Sequence, residues 1–240
     1  MRVKAVITYD GSHYFGFQKQ TSTNKTIMYA IEKTLASLQI NSKIVGSGRT
    51  DAGVHASGQV IHFDLPEYWS DLQKLKLHLN RKMNYIQFKH ITQVPSDFHA
   101  RFSAKKRLYR YVFKTTKPSV FEKTYISHYD SFDVQILQKA LHLFEGKHDF
   151  EYFRKTGSQT YTTIREIYST KYKAYYGYHL IYFQANGFLR SQVRMMVDMA
   201  MSCAKKEMTL EQLKEQVDCQ IKHSTKLASQ EGLYLAKVLY

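Results

Sequence analysis

The sequence predicts an α+β fold built mainly on antiparallel sheet. Three observations carry that reading. Strand-like alternation and helical periodicity are mixed along the chain, without the strict strand-helix alternation of a parallel sheet. Nineteen Tyr and fourteen Phe in 240 residues supply side chains of high β-propensity. Turn chemistry, as in Tyr9-Asp10-Gly11-Ser12 and at Gly177, closes the alternating runs.

Val3, Ala5, Ile7 and Tyr9 alternate and give a first strand over residues 2–9. Ile27, Ile31, Leu35 and Leu38 recur at helical spacing, predicting a helix from near Thr26 to Ile40. A glycine-rich loop follows, and residues 59–65 alternate as a strand. Leu72, Leu75, Leu79 and Met83 predict a second helix, and residues 86–94 a further strand. These elements complete a β-α-β-α-β-like unit near residue 104. Residues 107–114 place Tyr109, Tyr111 and Phe113 on one face of a strand and Leu108, Arg110 and Val112 on the other. A helix over 132–144 comes next, then paired strands over 162–173 and 178–185. Leu189, Val193, Met196, Val197 and Ala200 mark another helix, Thr209 to Gln212 a capping box that opens the last one, and residues 232–240 a final strand. Two halves result, 1–104 and 105–240, with no long linker and no sequence repeat.

Thirty-five Lys and Arg against twenty Asp and Glu give a formal charge of +15. That balance favours polyanionic partners, nucleic acid first. Aromatic rings interleaved with arginine suit unstacked bases, although most of the tyrosines are read as strand residues. The run 101–123 holds eight Lys or Arg and a single acid, Glu122. Within it Lys105, Lys106, Arg107, Arg110, Lys114 and Lys117 are candidate phosphate contacts. No apolar run approaches the roughly 20 residues of a membrane span, and the N-terminus reads as a strand rather than a leader. A cytoplasmic protein without membrane partners is expected. Cys203 and Cys219 lack any CxxC spacing, so neither a disulfide framework nor a zinc site is expected.

The chemistry concentrates in Gly46-Ser47-Gly48-Arg49-Thr50-Asp51-Ala52-Gly53-Val54-His55-Ala56 and the strand after it. Small side chains let the backbone turn sharply or let a ligand come close. Arg49 favours an ionised Asp51, available as nucleophile or as base, and both roles need the same oxygen. The plain alternative is a turn with a surface ion pair. Asp64 is a second acid, so a two-carboxylate glycosidase site is a lesser alternative. His55 is read as a packing or hydrogen-bonding residue.

Gly48 to Ala56, GRTDAGVHA, followed by GQVIHF, closely resembles the catalytic-aspartate motif of the TruA-type tRNA pseudouridine synthases. Further blocks resemble that family in its usual order: Tyr9 to Ser12, Gly16 to Gln20, Phe98 to Ala104, Tyr109 to Tyr111, Gly146 to Phe150, Gly187 to Leu189, Val193-Arg194 and Gly232 to Leu235. The resemblance spans nearly the whole chain. It implies the pseudouridine synthase fold, two ferredoxin-like halves with mixed, mainly antiparallel sheet around a basic cleft. It also implies a homodimer acting on tRNA with no metal or organic cofactor.

By that resemblance Asp51 is the catalytic aspartate, Arg49 fills the space of the extruded base, and Tyr109 stacks on the target uracil and helps remove its C5 proton. Arg194 pairs with Asp51. Leu189, Arg190, Lys106, Arg107 and Arg110 complete the expected substrate contacts, and His148-Asp149 falls in a structural block. Without the resemblance, Tyr109 reads as one strand tyrosine among several and Arg194 as an i,i+4 ion pair with Asp198. The chain departs from the family pattern at Phe17, Met28, Arg190-Ser191-Gln192 and Asp198, the positions that bear on substrate choice. Arg190 and Arg194, four apart, are expected on one helical face. The expected activity is isomerisation of uridine in the anticodon stem-loop of tRNA. The alternatives are the same chemistry on another RNA such as rRNA, and RNA binding without catalysis.

Overall fold

A computed structural model of the chain describes residues 1–157 and 160–240. They form two units, Met1–Lys105 with Tyr234–Tyr240, and Lys106–Leu233. The expected second half, 105–240, therefore differs at its end. Residues 234–240 group with the first unit, where the C-terminal strand, Leu233–Leu239, runs parallel to the strand carrying His55 and Ala56.

The first unit contains β1 (Arg2–Tyr9), α1 (Ile27–Ala36), β2 (Val45–Gly46), β3 (His55–Asp64), α2 (Leu72–Lys82) and β4 (Ile86–Gln93). β1 lies between β3 and β4, antiparallel to both, and β2 pairs with β3. The order β4-β1-β3-β2, with a helix after the first and third strands, is the ferredoxin-like arrangement. Val3, Ala5, Ile7 and Tyr9 are buried, and the residues between them are half-exposed, as period-two alternation requires. α1 opens where the Thr26 hydroxyl accepts the Tyr29 N–H, and it buries Ile27, Ile31 and Leu35. It stops at Ala36 rather than Ile40 because Gln39 turns left-handed (φ 62°) and the Ile40 N–H returns to the Leu35 carbonyl. β3 begins at His55, not Gln59. Its first residues pair with the C-terminal strand, a partner 179 residues away that local alternation does not register.

The second unit contains β5 (Lys106–Lys114), β6 (Ser127–His128), α3 (Val134–His142), β7 (Gly146–Asp149), β8 (Ile164–Tyr175), β9 (Tyr178–Ala185), α4 (Gln192–Ala204) and α5 (Leu210–Val217). β5, β9, β8 and β7 pair antiparallel in that order, and β6 lies parallel beside β5. Tyr109, Tyr111 and Phe113 are buried on one face of β5, as their alternation predicts. Tyr176 and Gly177, both at positive φ, make the tight turn between β8 and β9. α4 is apolar nearly all round and packs against α3 and α5. The Thr209–Gln212 capping box forms as its spacing predicts.

One buried histidine links this fold to pH. His62 on β3 accepts the Ala100 N–H at Nδ1 (3.0 Å), and burial together with the Arg2 charge pushes its pKa down to about 4. The unfolded chain takes up this proton near the ordinary 6.5, well before the folded chain does. Stability from this group is therefore fully present above pH 6.5 and is lost as pH falls toward 4, by on the order of 2–3 kcal/mol. Urea unfolding of the wild type and His62→Asn at pH 7.5 and 4.5 should show the smaller pH-dependent loss in the variant.

Candidate active site

The loop carrying Arg49 and Asp51 is held at three points. Before Arg49, the fully buried Gln59 side chain accepts the Ser47 hydroxyl at Oε1 (2.7 Å) and donates Nε2–H to the Gly48 carbonyl (2.8 Å). Between the two charged residues, Thr50 is buried, with its hydroxyl 2.8 Å from the Tyr9 hydroxyl and its carbonyl accepting the Phe17 N–H (3.0 Å). After Asp51, the Gly53 N–H reaches the Tyr14 carbonyl (3.3 Å), and the Gly11 N–H donates to Nδ1 of the buried His55 (3.1 Å), which stacks on Tyr234. His55 is thus a hydrogen-bonding and packing residue, as expected from sequence. Arg49 is exposed and Asp51 half-buried.

This clamp explains why residues 9–17 are spelled as they are. A side chain at Gly11 would set its Cβ 2.0 Å from the Val54 carbonyl oxygen, so only glycine lets the two backbones approach. The Phe17 ring lies under Gly46, where a Cβ would meet it at 2.4 Å. Phe17, one of the departures from the family pattern, is therefore a buried support of the loop. Sequence reading placed Asp51 and Arg49 but missed Gln59, Thr50 and Tyr9 as their supports. The signal available was the pairing of the Tyr9 to Ser12 and Gly16 to Gln20 blocks with the aspartate loop.

Asp64 stands at the opposite end of β3 from the aspartate loop, facing Arg2 in the register, whereas Ala56 faces Tyr9. The eight residue steps from Ala56 to Asp64, at about 3.3 Å each, span roughly 26 Å. Paired glycosidase carboxylates sit roughly 5–9.5 Å apart, so that alternative fails. Asp64 instead accepts Arg2 Nε and Nη2 (2.9 and 3.1 Å), and the hydrogen bond to this guanidinium is the main cause holding its pKa down.

In the second unit Tyr109 is buried on β5 with its ring edge-on to Phe188 (centroids 5.1 Å apart), and Leu189 is also buried. Arg194, in the first turn of α4, donates Nε–H to the Ala228 carbonyl (2.6 Å), and the Ala228 N–H returns to the Arg194 carbonyl (3.1 Å). The i,i+4 partner suggested by spacing, Asp198, keeps a buried Oδ2 with no hydrogen bond among the described residues. Arg190 does not share a helical face with Arg194. Ser191 is left-handed (φ 60°) and α4 begins at Gln192, whose Oε1 accepts the Leu189 N–H (2.7 Å). The exposed Arg190 instead donates to the Thr156 carbonyl (3.0 Å).

The basic run divides by role. Lys114 pairs with Glu122 (3.1 Å), and hydrogen bonds from Ser119, Lys114 and Tyr178 push that carboxyl down to about 2. Lys114 is structural. Lys106 lies over the Tyr168 ring (4.8 Å), and Arg107 donates to the Asn186 carbonyl (2.7 Å). Arg110 is half-buried on β5. No group of three or more His, Cys, Asp or Glu among the described residues is arranged to hold a metal.

The model of the family described as tRNA pseudouridine synthase matches residues 5–103 and 140–240. The chain belongs to the tRNA pseudouridine synthase family. It is 39% identical over 243 residues to a tRNA pseudouridine synthase A of Helicobacter hepaticus, covering 99% of this chain and 98% of that one. Proteins of the same name from Wolinella succinogenes and Campylobacter jejuni are 38% and 35% identical over 98% and 100% of this chain, and over 93% and 100% of their own lengths. The two stretches matching the tRNA pseudouridine synthase model contain Arg49, Asp51, Leu189, Arg190 and Arg194. Lys106, Arg107, Tyr109 and Arg110 lie between them.

The clamp yields a contrast between two glycines. Gly11→Ala should destabilise the protein by about 1–3 kcal/mol through overpacking, lowering the melting temperature by several degrees. A Cβ at Gly48 meets nothing within 4 Å. Gly48→Ala should therefore melt within about a degree of wild type in calorimetry.

Proposed function

We propose that this protein isomerises uridine to pseudouridine in the anticodon stem-loop of tRNA, with Asp51 as the reacting carboxylate. The observation that carries the reading is a half-buried aspartate on a loop fixed from three sides, in a chain of the tRNA pseudouridine synthase family. The reaction breaks the bond from N1 of the uracil to C1′ of the ribose and forms one from C5 to the same carbon. The C5 proton leaves and N1 gains one, so atoms balance without a co-reactant. Asp51 serves either by attacking the nucleoside or by taking a proton.

Uridine inside a stem cannot meet a carboxylate until it leaves its stack. Arg49, exposed two residues before Asp51, is assigned to the vacated space. Tyr109 is assigned to the uracil face and Arg194 to the charge of Asp51, both on the family resemblance. Leu189, Arg190, Lys106, Arg107 and Arg110 are assigned to the RNA around the uridine. The protein works as a homodimer, a reading supported by the same resemblance, and in the cytoplasm, a reading supported by the absence of a long apolar run in the sequence. No helix among the described residues is long and apolar enough to cross a membrane.

Asp51→Asn keeps the size of the side chain and removes its charge. Incubated with unmodified tRNA, this variant should yield no detectable pseudouridine while binding tRNA within about threefold of wild type, because phosphate contacts rather than one carboxylate dominate affinity. Turnover retained in Asp51→Asn would take the carboxylate out of the chemistry. RNA binding without product in the wild type itself would favour the non-catalytic alternative.

A further inference from the structure

The end of β1 and the starts of β3 and β4 meet at one end of the first unit's sheet, with Tyr9 opposite both Ala56 and Ile86. The Asp51 loop enters β3 at that end. Three aromatic residues outside the core stand on the same rim. His13 and Tyr85 stack face to face, ring centroids 3.6 Å and planes 16° apart, with 44% of the His13 side chain and 45% of Tyr85 exposed. Phe15 is 56% exposed.

Their backbones are fastened to the loop itself. Tyr14, between His13 and Phe15, takes the Gly53 N–H on its carbonyl. Gly16, after Phe15, sits so close that a Cβ there would be 2.9 Å from the Thr50 oxygen and 3.4 Å from the Asp51 carbonyl carbon. The Tyr85 carbonyl accepts the Asp10 N–H (3.0 Å), one residue before the Gly11 contact to His55. The rings are therefore held in fixed relation to the loop that carries Asp51.

Exposed rings leave apolar faces in water, a cost that binding of a flat partner removes. We propose that His13, Phe15 and Tyr85 form a stacking rim for the nucleobases that flank the uridine reacting at Asp51. The proposal rests on the function stated above. A base fits this rim better than an apolar protein side chain because basic residues neighbour the rings along the chain, while the Asp10 carboxylate sits 3.6 Å from His13 Nε2. Lys25, whose carbonyl accepts the Phe15 N–H, and Arg81 and Lys82, in the last turn of α2 before Tyr85, are all exposed and suited to the phosphates either side of a stacked base. The His13–Tyr85 pair has one ring face committed to the partner ring and one outer face on each, so a base added there extends an existing stack.

Anticodon stem-loop RNAs carrying 2-aminopurine in turn at each position flanking the target uridine test the rim. With wild type, fluorescence should be quenched on binding at one or more of these positions. Phe15→Ala and Tyr85→Ala should lose the quenching at one position each and bind roughly 5- to 100-fold more weakly. In turnover of full-length tRNA they should raise KM and leave kcat within about twofold, and Tyr85→Phe should restore wild-type behaviour because its ring face remains. Thermal melts accompany each variant, and if Tyr85→Ala fails to fold, Phe15→Ala carries the same test.

Wild-type quenching and affinity in folded Phe15→Ala and Tyr85→Ala would overturn the proposal. So would a change of oligomeric mass with RNA affinity intact, which would give the rim to a second copy of the chain. Quenching does not require turnover, so the two readings fail separately. Quenching without pseudouridine product in wild type would overturn the catalytic assignment alone, and product without any rim effect would overturn the rim alone.

Discussion

The candidate site depends on a backbone clamp around residues 46–55. A glycine-rich segment left to itself populates many conformations, and fixing each residue costs about 1–2 kcal/mol of entropy. Here that cost is offset by hydrogen bonds to side chains buried in the interior. The Gln59 amide is fully buried, and if residues 47 and 48 moved away its Nε2 would lose the Gly48 carbonyl and its Oε1 would keep only the Val60 N–H (3.1 Å). The Thr50 hydroxyl and the Tyr9 hydroxyl hydrogen-bond to one another, and burial raises the Tyr9 pKa, so the phenol stays neutral. Gly11 closes the arrangement by letting the Val54 carbonyl come to within a distance that any side chain would block.

The clamp in turn rests on the sheet. Tyr9, His55 and Gln59 lie on β1 and β3, whose buried residues belong to the core of the first unit, so the loop inherits the rigidity of the two strands. Reacting groups need placement within a fraction of an ångström, and a loop anchored to strands supplies it better than one tied only to itself. The second unit uses the same economy at Arg194, where reciprocal hydrogen bonds with Ala228 fix the first turn of α4 to the segment before the C-terminal strand. Positive charge, by contrast, is not equivalent along the chain. Lys114 is occupied by Glu122, so a count of basic residues overstates the number left for phosphates.

Much of this was legible in the sequence. Alternation located β1, β4, β5 and β9, and cap residues located α5, because those signals are local and strong. β2, β6 and β7 escaped notice since two to four residues carry no periodicity. The early start of β3 and the grouping of residues 234–240 with the first unit were hidden for a different reason, being set by a strand pairing remote in sequence. Spacing misled at Arg190, where the left-handed Ser191 delays the start of the helix to Gln192; Asp64 lies across the strand from the aspartate loop, as its place in the chain indicates. Asp51 and Arg49 stood out from their motif, whereas their supports did not. A buried Gln or Tyr in a strand looks like any other until its hydrogen bonds are seen.

That this chain makes pseudouridine in tRNA can be read from a map of pseudouridine across the total RNA of cells with and without the gene. Loss of the gene should remove pseudouridine from the anticodon stem-loops of a set of tRNAs and leave rRNA unchanged. Loss confined to rRNA, or an unaltered map, would contradict it.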